Sequence, residues 1–389
     1  MMYFLFIFFA CKSPPSIAVP EVPMMRYRSE AATSVIGQQV LDEIPRSQWD
    51  AGLYSATQEL LAALSSPSAR ITSESVQLAT ARAGFPGQAR FAKMLNGGAF
   101  PQPLVDEIIR DCPNHTVDVA LVKRSYGDGS TLWLIGWARH MVEIDPIPRQ
   151  VPLDGAVPIR VEIPSTDRGY LYIAAPDQPI ELIEILPEAH RWINDFHTPG
   201  VYRFELVTDG PDGPQVALLF SLYVDEEPPK TKMLYPQEMI GINPKESEEW
   251  LYIQVNNLRR ERGLQPLKRF PLFEGVAREH SAWMASTGIV NHSIPGVTPG
   301  VPAHAARLTH PRAKHYENVV AAGSPEEALE MTIDSPGHFR VLLCETCTHI
   351  SIGAALEPKL SGNPRIFVTW EVLEFPQGEP LLIEKLNRY

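Results

Sequence analysis

Basic residues are in short supply in this 389-residue chain. Lys and Arg number 34 against 46 Asp and Glu, for a formal net charge of −12. With no long block of one charge sign, the chain lacks the cationic footprint that neutralises phosphates, which excludes a nucleic-acid binder. Cysteine is scarcer still: the four are Cys11, Cys112, Cys344 and Cys347, too few for a disulfide-dense scaffold. No segment approaches the run of about 20 apolar residues that a spanning helix needs. Two hydrolytic signatures are missing as well, the Gly-x-Ser-x-Gly elbow and the His-Glu-x-x-His helix.

What is present describes a folded, multidomain chain. The length suggests two or three domains, and 44% hydrophobic with 21% charged residues is a globular composition. The 37 prolines are roughly twice the usual ~5% share and favour loops, turns and edge strands. The chain opens MMYFLFIFFAC, with an apolar run from Tyr3 to Ala10 that stops at Cys11. Residues 1–11 resemble a bacterial lipoprotein signal, in which Cys11 becomes the lipidated first residue and a membrane anchor. The alternative is a frayed apolar start, since no Lys or Arg precedes the run and Phe stands before Ala10.

Residues 12–45 read as a tether. Over 46–149 the pattern is first mostly helical, with Leu53, Thr57, Leu60, Leu61 and Leu64 at helical spacing. It then alternates at Val117, Val119 and Leu121, turns at Gly127-Asp-Gly129 and returns from Leu132 to Trp137, which predicts a hairpin in an α+β domain. Residues 150–228 read as all β. Val157, Ile159, Val161 and Ile163 alternate, as do Tyr202, Phe204 and Leu206, and turn signals separate the runs. That suggests an immunoglobulin-like β-sandwich acting as a spacer, with Tyr202 anchored at a corner. Residues 229–247 are a linker, 248–376 a last domain and 377–389 a tail. In the last domain, helical patterns stop at Gly263 and Gly288, Ser324-Pro-Glu-Glu327 makes a capping box, and a hairpin follows: an α+β or three-layer sandwich. A shift of 233 positions lays Val117 on Ile350, Val119 on Ile352 and Trp137 on Trp370, so the first domain is a candidate degenerate copy of the last.

Of the eleven histidines, seven lie between His280 and His349. His280 sits on an apolar helical face and reads as core. His304, His310 and His315 read as solvent-facing in a long loop. His292 follows a helix stop in "GIVNHS". His338 falls in "DSPGHFR", where Ser335 can cap a helix, Pro336 can open it and the helix dipole disfavours imidazolium. A neutral imidazole is the form that ligates metal. Glu317 stands in "HYENVV". Two His and a carboxylate can hold a divalent ion with a fourth position open.

The pieces "VNNLRRERGLQPL", "GVAREHSAWMASTGIVNHS", "ENVV", "SPGHFRVLL", "THISIGAAL" and "RIFVTWEV" occur in order over about residues 248–375. There the chain resembles the CAP superfamily, also called the SCP domain: cysteine-rich secretory, antigen-five and pathogenesis-related proteins, here of bacterial type. The resemblance implies an α-β-α sandwich whose cleft is lined by two histidines and two acidic residues. It assigns His292, Glu317 and His338 to that cleft as the metal set, with zinc the natural divalent cofactor. Ser335 takes the place of the second acid, with Glu330 a weaker substitute, and Met331 stands where the family often has Trp. The eukaryotic disulfide set is missing. Cys344-Glu-Thr-Cys347 could be a short disulfide, half a zinc site with His349, or two buried thiols.

The expected function is therefore that of an extracytoplasmic, lipid-anchored or secreted bacterial envelope protein, a binding module rather than an enzyme. Its C-terminal cleft would take a lipid, glycan or envelope-protein ligand through the metal. Two alternatives stand beside this: a metal-dependent hydrolase on envelope or extracellular substrates, with Ser335 as donor or nucleophile, and an adhesive envelope protein with a vestigial cleft.

Overall fold

The computed structural model describes residues 24–25, 35–69, 71, 73–112, 115–163, 168–186, 188–210, 213–227, 243–294, 310–358 and 365–376. The leader with Cys11, most of the tether and of the 229–247 linker, His304, the Ser361–Pro364 turn and the 377–389 tail lie outside them.

The first part of the chain runs through β1 (Met24–Met25), α1 (Val35–Glu43), β2 (Ser47–Trp49), α2 (Ala51–Ala63), α3 (Ser73–Ala83), β3 (Arg90–Asn96), α4 (Gln102–Asp111), β4 (Val117–Ser125) and β5 (Thr131–Arg139). Asp50 starts α2 by accepting a hydrogen bond from the Leu53 amide at 2.6 Å, the usual work of an N-cap carboxylate. The expected hairpin is β4–β5, paired antiparallel. Two strands interrupt the stretch whose pattern reads as helical. β3 has little alternation of its own (Arg-Phe-Ala-Lys-Met-Leu-Asn) and exists because it pairs along β5, a tertiary effect that local propensity does not carry.

The middle part holds β6 (Glu143–Ile144), β7 (Ile147–Pro148), β8 (Gln150–Val151), β9 (Ala156–Ile163), β10 (Gly169–Ala174), β11 (Glu181–Ile185), β12 (Glu188–Asp195), β13 (Gly200–Gly210) and β14 (Gly213–Val224). One sheet has the order β11-β10-β13-β14-β8 and a second the order β12-β9-β6. Ile159 and Val161 from one sheet meet Leu171, Phe204 and Leu222 from the other in a single buried core. The short β8 lies parallel to β14, and the Tyr202 hydroxyl accepts from the Thr198 amide at 3.3 Å.

The last part contains α5 (Pro244–Glu261), β15 (Lys268–Arg269), α6 (Pro271–Thr287), β16 (Lys314–Ala322), α7 (Pro325–Asp334), α8 (Pro336–Leu342), β17 (His349–Leu356) and β18 (Ile366–Glu374). The sheet order is β15-β17-β18-β16, and both of its faces are covered. Ile350, Ile352, Val368, Trp370 and Val372 pack with α5, α7 and α8 residues such as Leu251, Val255, Ala328 and Leu342. The opposite face carries Val319 and Phe367 against Met284 and Ala285 of α6. Gly353 lets α6 press on that face: a β-carbon there would sit 2.1 Å from the Ala277 carbonyl carbon. The capping box at α7 is present, with the Ser324 hydroxyl accepting from the Glu327 amide at 3.1 Å and the Glu327 carboxylate accepting from the Gly323 amide at 2.6 Å.

The first and last sheets share one topology. β2-β4-β5-β3 and β15-β17-β18-β16 each join a short first strand parallel to the next and keep the other neighbours antiparallel. The register agrees too. Val119 faces Trp137 and Ile352 faces Trp370, pairs separated by the same shift of 233.

The sandwich is not the free spacer its sequence suggests. On one side its Leu219 amide donates to the Pro86 carbonyl at 2.8 Å. On the other, Arg203 pairs with Asp334 at 3.0 Å and Glu205 accepts from Ser335. Among the described residues no helix is long and apolar enough to cross a membrane.

Candidate functional site

The register of the last sheet sets Glu317 of β16 directly opposite Glu371 of β18. Two carboxylates in that relation repel unless hydrogen-bonding partners stand beside them, and three imidazoles do. His280, from α6, places Nδ1 2.9 Å from Glu317 Oε2. His292 places Nδ1 2.7 Å from Glu317 Oε1. His315, two residues before Glu317 on the same strand face, bonds through Nε2 to Glu371 Oε2. Glu371 is fully buried, and its Oε1 has no hydrogen-bond partner among the described residues.

Protonation follows from the partners. His280 Nε2 lies 2.8 Å from the Asn291 carbonyl oxygen, which can only accept, so Nε2 carries a proton. Its Nδ1 faces a carboxylate and needs a second one. His280 is therefore an imidazolium paired with ionised Glu317. Burial pulls the His280 pKa down, but the hydrogen bond and charge of Glu317 outweigh it and the net shift is upward. Glu317 is raised by burial and lowered more by His280 and His292, which holds it well below the usual carboxylate range. Burial pushes Glu371 up, only partly offset by His315.

His338 stands in the first turn of α8, whose start is capped by Ser335: its hydroxyl accepts from the His338 amide at 3.3 Å. The His338 carbonyl accepts from Asn318 Nδ2 at 2.8 Å, which ties α8 to β16. Burial, reinforced by the charge of His292, lowers the His338 imidazole to about 4. His338 is thus neutral at physiological pH.

His292 and Glu317 are in contact, while His338 is placed through its backbone, by Ser335 and Asn318. The three residues do not act alike. Both oxygens of Glu317 are engaged by imidazoles, so the carboxylate orients His292 rather than standing open as a ligand. Glu317 is also in mid-strand and not in a loop. Ser335 is not an open cleft group. It is 5% exposed and its hydroxyl lies 2.8 Å from Glu205. Glu330 is exposed on α7, and Met331 packs on the core between α5 and the sheet.

His310 and His315 correct the sequence reading. His310 is buried, with Nδ1 accepting from the Arg312 amide at 3.1 Å, and His315 is a strand residue inside the polar cluster. His280 is buried as expected, but as half of an ion pair. Glu371 carries a signal that could have exposed it: Ile366, Val368, Trp370 and Val372 fill one strand face, while Phe367, Thr369 and Leu373 make the other apolar too. A carboxylate in a strand buried on both faces must have a partner.

Cys344 and Cys347 are joined by a disulfide, while Cys112 is a buried free thiol. One ligand atom each from His280, Glu317 and Glu371 lies within 4.8 Å of the others. His280 donates from both nitrogens, however, and has no lone pair to offer while that pairing stands. His292 differs. Its Nδ1 lies 2.7 Å from Glu317, its Nε2 has no hydrogen-bond partner among the described residues, and the side chain is 36% exposed, the arrangement of a carboxylate behind a metal-ligating histidine. Neutral His338 complements it. His292 and His338 thus both offer imidazole nitrogens of the kind that ligate a divalent cation, with Glu317 behind His292.

Solved structures resembling the chain include an outer surface protein of Borrelia burgdorferi (22% identity, TM-score 0.29, 34% of this chain and 95% of that one). An extracellular protein containing an SCP domain from Bacillus anthracis matches at 16% identity and TM-score 0.29, over 48% of this chain and 64% of that one. A cysteine-rich secretory protein from Staphylococcus aureus matches at 18% and 0.26, over 46% and 57%. Among curated proteins, none matches the chain. The profile of the cysteine-rich secretory protein family, CAP, matches residues 252–371. That span holds β15 through β18 up to Glu371 and every residue of the histidine–carboxylate cluster described above, so the C-terminal part of this chain is a CAP domain.

Proposed function

We propose that the CAP domain is a ligand-binding module whose cleft presents a divalent cation, zinc by the chemistry of its donors, on His292 and His338. The observation that carries this reading is the 2.7 Å hydrogen bond from His292 to Glu317, which fixes the imidazole with Nε2 free. The cation would supply a Lewis-acidic point for an anionic or carbonyl group of the ligand. The protein's part is to orient the two rings and keep one of them neutral. A lipid, glycan or envelope-protein ligand suits an extracytoplasmic setting, and the Cys344–Cys347 disulfide favours an oxidising compartment. Anchoring through Cys11 belongs to the same proposal and is tested by palmitate labelling against Cys11→Ser. Hydrolysis is the weaker reading, because the Ser335 hydroxyl is committed to Glu205 and to capping α8.

The sandwich is read as immunoglobulin-like, supported by β8 running parallel to the last strand β14 and by the Tyr202 hydroxyl at the corner. The first domain is read as a degenerate copy of the CAP domain. Its hairpin sets Ala138 opposite Asp118 where the CAP hairpin sets Glu371 opposite Ser351, and Ala138 packs with Leu53, Phe85 and Ala120 in an apolar cluster. A copy built that way lacks a counterpart of Glu371, and the carboxylate facing that position, Asp118, is bonded to His140 at 3.1 Å instead.

Calorimetry with zinc on the full chain tests the reading. One equivalent should bind, and His292→Ala and His338→Ala should each weaken it tenfold or more, in line with roughly 10- to 100-fold losses at metal sites. Wild-type affinity in both variants would end the metal proposal. A second equivalent that survives both would contradict the site-less copy.

A further inference from the structure

Glu205 is in an unusual place for a carboxylate. Tyr202, Phe204 and Leu206 turn into the core of the sandwich, so Glu205 projects from its outer face, where a strand carries polar residues into water. Yet Glu205 is 1% exposed, because the first turn of α8 covers it. Its two oxygens lie 2.8 and 2.9 Å from the Ser335 hydroxyl, and the Gly337 amide donates to Oε2 at 2.5 Å. Gly337 makes the approach possible: a β-carbon there would stand 3.0 Å from Glu205 Oε2 and 3.6 Å from the Tyr172 ring.

The carboxyl thus bonds to a hydroxyl and an amide of another domain, with no cation among these partners. A buried acid in that state is costly unless its bonds are made, so α8 can dock on the sandwich only with the Ser335 and Gly337 donors in place on Glu205. The same contact is one residue from His338. The hydroxyl that meets Glu205 also accepts from the His338 amide, and the His338 carbonyl is held from β16 by Asn318. Two residues earlier on β13, Arg203 pairs with Asp334 at the end of α7 at 3.0 Å. The turn between α7 and α8 is therefore gripped from β13 by one acid and one base.

We propose that the β-sandwich is a working part of the CAP cleft, with Glu205 clamping the start of α8 and so fixing His338, and that releasing this clamp frees the His338 side of the cleft. Glu205 is a positioning residue in this scheme. The proposal goes beyond the metal reading and stands whether or not zinc binds, since it concerns how the histidine is held.

The test uses the full chain without added metal. Amide hydrogen exchange is followed by mass spectrometry, and His338 modification by diethyl pyrocarbonate is followed in parallel. In Glu205→Ala, amides of residues 337–339 should exchange roughly ten- to hundredfold faster, the range that loss of charge-assisted hydrogen bonds predicts. His338 should react correspondingly faster. Glu205→Gln should restore most of the protection, because its carbonyl can accept from Gly337 and its amide can donate to Ser335. Gly337→Ala attacks the same contact from the CAP side, pressing a methyl group on Glu205, and should loosen the turn with the sandwich sequence unchanged. Exchange at Phe204 and Leu206 reports whether the sandwich itself stays folded. If residues 337–339 and His338 behave as in wild type in both Glu205→Ala and Gly337→Ala, the clamp does not exist. If Glu205→Gln is as loose as Glu205→Ala, the hydrogen bonds are not what holds the helix.

Discussion

His280 and Glu317 form a buried ion pair at 2.9 Å in which the imidazolium spends its second proton on the Asn291 carbonyl. The pair ties α6, the segment after it and β16 together, which makes its protonation a matter of stability. Glu317 is depressed below its ordinary 4.5, so its contribution is full above that value and is lost as pH falls through the native pKa. His280 is raised above 6.5, so its contribution is full below 6.5 and is lost as pH rises through the native pKa. The two conditions overlap between 4.5 and 6.5. The pair's own contribution, read as the difference in melting temperature between wild type and Glu317→Gln, should be greatest in that window, with thermal denaturation against pH as the measurement. Glu317→Gln leaves a buried imidazolium without its counterion and should cost about 3 kcal/mol. A variant as stable as wild type at pH 6 would show that the pair contributes nothing.

His338 should titrate with a midpoint near 4, since burial and the charge of His292 both disfavour its imidazolium. Proton NMR of the ring on metal-free protein measures this directly. A consequence follows for metal binding: protonation of His338 should not limit zinc affinity until the solution is more acidic than an ordinary histidine site tolerates. A midpoint near 6.5 would mean that the ring is open to water and would leave His338 an ordinary surface histidine.

Much of this site can be read from the chain, and the unread part has a physical reason. The resemblance of "NHS", "ENVV" and "SPGHF" to CAP pieces is what singles out His292, Glu317 and His338; the local pattern alone gives the helix stop at Gly288 and the cap at Ser335, and no ligand set. Their roles are not local. Glu317 becomes an orienting group only because β16 pairs with β18 and brings His280 from another layer. His315 reads as a loop residue, since nothing before the pairing says that Lys314–Ala322 is a strand. The β4–β5 and β17–β18 hairpins are legible because their alternation is complete within one stretch. Glu205 is the opposite case. A polar residue on the outer face of a strand looks unremarkable until another domain covers that face, and no pattern within residues 200–210 announces the cover.

Glu205 also makes docking of the sandwich on the CAP domain depend on pH. Burial raises its carboxyl to about 7 from an ordinary 4.5, with the Gly337 amide and Ser335 pulling partly the other way. The groups around it are Tyr172 of β10, Arg203 of β13, Asp334 of α7 and His338 and Arg340 of α8. Because the docked pKa lies above the free one, docking is most favourable below 4.5 and weakens as pH rises through about 7. Protection of the α8 amides, corrected for intrinsic exchange rates, should therefore be greater at pH 5 than at pH 8. Glu205→Gln has no proton to lose and should flatten that difference. A wild-type chain equally protected at both values would place the carboxyl's titration outside this range.

The cleft also depends on a residue far from any ligand. Arg259 of α5 is fully buried; its Nε donates to the Gln265 carbonyl at 2.9 Å, and its Nη1 donates to the carbonyls of Leu342 and Cys344 at 2.7 and 3.0 Å. Those last two carbonyls are the end of α8 and the first residue of the disulfide turn, so one guanidinium holds the far end of the helix that carries His338. A cation is favourable at a helix C-terminus, and the planar fork serves two directions at once, which a lysine ammonium cannot. Arg259→Ala opens a cavity and strands three carbonyls, at a cost of about 3–5 kcal/mol. In calorimetry of the full chain the CAP transition should fall by roughly 10 °C or more, and Arg259→Lys should recover less than half of that. The sandwich and first-domain transitions should move far less. If Arg259→Lys were as stable as wild type, a single point charge would suffice and the forked geometry would not be what the helix requires.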